Sequence, residues 1–163
     1  MLSSASRAGG LICGFGSVLM FIGYALPWVT YRVIDQPEGT IEAFTWTGWH
    51  EALSGIPFSL LVFGFPLLVA VLTTSFALWE SSGGISYPSG GWSTFLLILD
   101  VLVLMAAALL LFWLAAPDST LPPEPAPQPG IGALLLLAGC CMLCFGAFLL
   151  RFWPIRRAEL QPA

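Results

Sequence analysis

Lysine is absent from this chain, and charge of any kind is scarce: five arginines, nine acids and one histidine stand among 163 residues, 9% charged in all. A soluble domain carries roughly 25% charged residues, so an ordinary water-exposed globule is excluded. The net charge of −4 excludes the basic footprint of a nucleic-acid-binding protein. Arginine in place of every lysine fits a GC-rich, bacterial genome. No cysteine lies in a polar stretch. Cys13, Cys140, Cys141 and Cys144 all sit inside apolar runs, where an extracytoplasmic loop disulfide has no place. No histidine is near them in sequence to complete a metal set. Serine-nucleophile, phosphate-cradling and haem-attachment motifs are missing as well. The expectation is a non-catalytic protein without cofactor or metal.

What the chain does have is apolar length. Hydrophobic residues make up 58% of it, and mean hydropathy is +0.90. A helix that crosses a bilayer needs about 20 mostly apolar residues. Four stretches qualify, at about 8–28, 57–79, 92–116 and 130–152. The first is longer than the roughly 7–15-residue core of a signal peptide and is followed by no A-x-A-like site, so it reads as a retained helix. The expected fold is an all-α membrane protein, a single four-transmembrane-helix bundle over residues 1–163.

Arginine placement sets the expected orientation. Arg7 precedes the first span, and Arg151, Arg156 and Arg157 close the fourth. The loop at 29–56 has only Arg32, and the loop at 117–129 has none. Both termini are therefore expected in the cytoplasm of a cell with this protein in its inner membrane. Tryptophan prefers the membrane interface. Trp28, Trp79, Trp92, Trp113 and Trp153 all fall near span ends and form the expected belt.

The inner loop, 80–91, is glycine-rich and polar and reads as a tie. The second outer loop, 117–129, is proline-dense, which favours an extended, polyproline-like path. The first outer loop carries more structure. Val29–Ile34 and Thr40–Trp46 read as strands joined by turn chemistry at Asp35–Gly39, followed by one helical turn. A small β-hairpin capping the bundle outside is the expectation.

These residues carry a resemblance. Leu26-Pro27-Trp28 at the end of the first helix, Gly48-Trp49 in a β-rich loop, and Ser54-Gly55-Ile56-Pro57 opening the second helix resemble small bacterial four-helix membrane proteins of unknown function. The order is also similar to that of the claudin superfamily, whose first outer segment holds a G-L-W motif and two cysteines. Here Thr47-Gly48-Trp49 stands without a loop cysteine, so the resemblance implies topology and not junction function.

Asp100 is the candidate residue for chemistry. It lies eight positions into the third span, roughly 12 Å from its inner end at about 1.5 Å per residue. An acid at that depth costs about 2.5–3.5 kcal/mol on insertion scales and must face the bundle, a partner or water. Ser17, Thr73 and Cys144 lie at comparable depth and are expected to form a polar layer with it. Such a layer serves as hydrogen-bond glue, as a docking point, or as a proton or ion relay. His50 and Glu51 are adjacent in the first loop but show no ligand spacing. Gly10 and Gly14 match the G-x-x-x-G packing pattern, small residues gather at Gly139, Cys140, Cys144 and Gly146, and Pro66 is expected to kink the second helix. The leading functional expectation is an accessory or scaffold subunit of a bacterial membrane complex, partnered by lipid and by other membrane subunits or itself. The alternative is a small transporter or channel component that uses Asp100.

Overall fold

The computed structural model describes residues 4–35, 40–53, 57–82, 90–115 and 128–152. Five helices and three strands follow in the order α1 (Ser4–Ala25), β1 (Pro27–Asp35), β2 (Thr40–Thr47), α2 (Gly48–Ala52), α3 (Pro57–Ser81), α4 (Gly90–Ala115), β3 (Gln128–Pro129) and α5 (Ile131–Phe152). α1, α3, α4 and α5 are long and apolar enough to cross a membrane. The chain is thus an all-α four-helix bundle with a small sheet at one end, and it reads as a multi-pass integral membrane protein. Residues 36–39, 54–56, 83–89 and 116–127, which hold the expected hairpin turn, most of the glycine-rich tie and most of the proline-dense path, lie outside the described residues. So do Trp153, Arg156 and Arg157, and the side chain of Trp113 is not described either.

α1 and α5 share the largest interface in the bundle. They run antiparallel, with three glycines of each helix facing three of the other. A Cβ on Gly16 would stand 2.9 Å from the Gly139 carbonyl oxygen, and one on Gly23 would stand 2.8 Å from that of Gly132. One on Gly146 would stand 2.9 Å from the Gly9 carbonyl oxygen. Gly9, Gly16 and Gly23 recur every seven residues, as do Gly132, Gly139 and Gly146. Seven residues make nearly two turns, so each set lies on one stripe. Without side chains in between, the two backbones touch, which is how membrane helices gain van der Waals contact when lipid offers no hydrophobic drive. The expected G-x-x-x-G pair is not this contact. Gly10 faces Ser81 and Ala77 of α3, and Gly14 meets open space.

The first span is shorter than the sequence suggests. α1 stops at Ala25, not at Trp28. Leu26 precedes a proline, whose ring disfavours the helical conformation there. Pro27 then opens β1, a place where a missing N–H costs the ladder nothing. β1 pairs antiparallel with β2 from Thr30↔Thr45 to Asp35↔Thr40. Between Pro27↔Thr47 and Val29↔Trp46 the register slips, which leaves Trp28 as an extra bulge residue.

The chain just ahead of α5 also returns to the sheet. Gln128 and Pro129 pair with Thr30 and Val29, giving the strand order β2-β1-β3. Proline is tolerated because β3 is an edge. Gly130 supplies the next donor, to the Trp28 carbonyl at 2.6 Å. A side chain on Gly130 would strike the Pro27 carbonyl, so only glycine permits this approach.

Candidate functional site

Asp100 projects from α4 toward α3 and is 2% exposed. The Thr73 hydroxyl donates to both carboxylate oxygens, at 3.0 and 3.2 Å. Thr73 is as deeply buried as its partner. One shared proton leaves most of the acceptor capacity of a carboxylate unused. All four cysteines are free thiols. Cys13 points its sulfur at the Leu143 carbonyl, and Cys140 at the Met20 sulfur, so both contacts bridge α1 and α5.

The polar layer read from the sequence is divided in two. Thr73 joins Asp100, but Ser17 does not. The Ser17 hydroxyl donates to the Ala70 carbonyl at 3.1 Å and lies 2.5 Å from the Thr74 hydroxyl. Thr74 in turn donates to the Cys13 carbonyl at 3.2 Å. The two hydroxyls have two protons for three contacts, so a carbonyl bond gives way whenever one hydroxyl donates to the other, and together they stitch α1 to α3. Depth counting placed Ser17 at the right height but not on the right side of its helix. Thr74 was missed, although its signal was visible: adjacent hydroxyls on a helix point about 100° apart and therefore serve two different neighbours. Cys144 is half-buried, and the Thr73–Asp100 bonds do not include it. Toward the end of the bundle opposite the sheet, Arg151 of α5 donates to the Thr94 hydroxyl of α4 at 2.9 Å.

Above Asp100, toward the sheet, lies an apolar side pocket of about 220 Å³. Val103, one turn along α4 from Asp100, forms part of its lining. Tyr24, Trp28 and Leu136 form the back wall and are buried. Here the tryptophan belt needs correction. Trp79 and Trp92 are exposed, but Trp28 is only 4% exposed. The bulge in β1 turns its ring into the bundle, where Nε1 donates to the Gly23 carbonyl at 2.9 Å. Trp28 packs edge-on against Tyr24, with centroids 5.1 Å apart. Tyr24 donates its hydroxyl to the Phe63 carbonyl at 2.5 Å.

Thr47-Gly48-Trp49 seats the cap on this aromatic cluster. The Thr47 hydroxyl accepts the His50 amide at 3.2 Å and caps α2. Any side chain on Gly48 would collide with the Trp28 ring and stand 2.6 Å from Tyr24 Cδ1. Trp49 packs on Tyr24 and Phe21. His50 is exposed, and no group of three or more metal-ligating side chains gathers among the described residues. No family model, curated protein or solved structure matches this chain.

Proposed function

We propose that this membrane protein is a non-catalytic accessory or scaffold subunit of a bacterial inner-membrane complex, with both termini in the cytoplasm and the sheet outside. The observation that carries this reading is the placement of α4. Only 17% of its span is buried inside the bundle, against 44% for α1 and for α5. Ile98, Leu102, Met105 and Leu109 form a long exposed apolar face. A helix packed mainly on α5 along one side, with the rest of its apolar surface uncovered, is well placed to lie against another subunit. The kinship with small bacterial four-helix membrane proteins belongs to the same proposal and rests on Leu26-Pro27-Trp28 and Gly48-Trp49. A second reading, a transporter or channel component, is favoured by the unused acceptor capacity of Asp100.

Photo-crosslinking residues at Leu102 and Leu109, placed one at a time in the full-length chain, test the accessory reading. The expected result is one reproducible protein adduct, to a partner subunit or a second copy, that also co-purifies stoichiometrically in mild detergent. Adducts to lipid alone at both positions would remove its support. Orientation is tested separately by reporter fusions at each end. Four arginines flank the terminal side and one lies in the loops opposite, so both fusions should report cytoplasm. An external C-terminus would reverse the topology.

A further inference from the structure

The side pocket has features that go beyond the accessory role. Its mouth lies between α3 and α4, which share a much smaller interface than α1 and α5. Phe63 and Pro66 on the α3 side are half-buried, and Ala106 on the α4 side is exposed. The pocket therefore opens sideways, toward whatever surrounds the bundle. Two things hold it open. Ala106 and Ala107 present only methyl groups where α4 passes it. Pro66 has no N–H for the carbonyl four residues earlier, which interrupts the ladder of α3 beside the mouth.

We infer that this pocket binds a single hydrocarbon chain of a membrane lipid. The chemistry of the wall selects that occupant. Its two polar groups are already engaged, the Tyr24 hydroxyl with Phe63 and the Trp28 indole with Gly23. A water molecule needs two to four polar partners and finds on that wall only the remaining acceptor capacity of the Tyr24 hydroxyl oxygen, and an apolar cavity of about 150 Å³ is known to stay dry and to take up benzene. A headgroup, an amine or a peptide would leave its own polar atoms unsatisfied there, which is costly. The height fits as well. Phe63 stands six residues from the start of α3, and Ala107 eight from the end of α4. At 1.5 Å per residue the pocket lies roughly 9–12 Å below the sheet end of those helices, inside a hydrocarbon core about 30 Å thick. A chain entering from the sheet-side leaflet reaches it while its headgroup stays at the interface.

The inference rests on membrane insertion but not on the accessory role, and one experiment separates them. The full-length protein is reconstituted in nanodiscs of phosphatidylcholine that contain a fraction with a diazirine on one acyl chain, then irradiated and digested. Labels are expected on Tyr24 and Leu136, which bulk lipid does not touch, and on the exposed α4 residues Leu102 and Leu109. Ala107→Leu fills the pocket, so back-wall labelling should fall about tenfold through steric exclusion. Labelling at Leu102 and Leu109 should not change. Ala106→Leu, at the exposed mouth, is the second variant should the first fail to elute as a monodisperse species, and it should act in the same direction. Outer-face labels without back-wall labels in the wild type would overturn the inference. So would back-wall labelling that persists in both folded variants. Absence of label everywhere would instead remove the membrane reading.

Discussion

Gly139→Leu leaves little folded protein to extract from the membrane, while Gly14→Ala purifies and melts at or slightly above the wild-type temperature. The contrast follows from where each glycine stands. A Cβ on Gly139 would lie 2.6 Å from Met20 Cγ, 2.7 Å from the Gly16 carbonyl oxygen and 2.9 Å from the Met20 amide nitrogen. Two of those three neighbours are backbone, which cannot turn aside as a flexible side chain does. Even Gly139→Ala forces α1 and α5 apart, and overpacking of this kind costs about 1–3 kcal/mol. Leucine adds three further carbons at the same point and separates the other glycine contacts along the stripe. A Cβ on Gly14 meets nothing within 4 Å. There the intrinsic helix preference for alanine, about 0.5–1 kcal/mol over glycine, is unopposed. Thermal unfolding in detergent, read as the monomer surviving size exclusion after heating, checks both. A Gly139→Ala variant that melts with the wild type would show that the backbones do not touch as described.

That stripe also shows what the sequence made legible. Four spans were readable because the requirement for about 20 apolar residues is met or failed locally. The hairpin was readable for the same kind of reason, since Val29–Ile34 and Thr40–Trp46 carry their own strand preference. The glycine contact was not found, because a four-residue pattern at Gly10 and Gly14 drew the eye while the working period is seven. Each heptad set is plain in its own helix. Its meaning appears only when Gly9 is set against Gly146 and Gly23 against Gly132, a pairing that spans more than a hundred residues of chain. Trp28 failed for a related reason. An indole near a span end satisfies the rule for an interfacial belt, and only the bulge against β2 turns it inward. That bulge depends on the register of a partner strand, which nothing near Trp28 in sequence encodes. The pairing of β3 with β1 was hidden by proline density, because the rule against proline in a strand relaxes at an edge.

Asp100→Leu is expected to melt only slightly below the wild type, and the comparison of magnitudes explains why. The bond from Thr73 is an interhelical hydrogen bond in an apolar environment, worth about 0.6 kcal/mol on average and about 1.7 at most. Placing an aspartate at this depth costs about 2.5–3.5 kcal/mol. That cost falls on the separated helix as well as on the bundle, so it largely cancels in melting and the substitution loses little more than the bond. Thr73, left without its partner, can turn its hydroxyl to a carbonyl one turn back in its own helix. Room for the leucine exists, since the α3–α4 interface is small and the side pocket begins one turn away at Val103. An acid that adds so little to the fold, at such an insertion cost, must act otherwise. On the accessory reading it specifies which faces of α3 and α4 meet, a role buried polar groups hold in some systems. Asp100→Asn keeps an oxygen to accept from Thr73 and should keep that pairing. On the transport reading the ionisable group itself is needed, and Asn should abolish flux from an intact fold. Proton and cation uptake into proteoliposomes, with helicity and monodispersity measured on the same preparations, separates the two. The expected result is no uptake by the wild type under an imposed gradient, and equal melting for wild type and Asn. Wild-type uptake that disappears in a well-folded Asp100→Asn protein would overturn the accessory reading and make Asp100 the ion-coupling group.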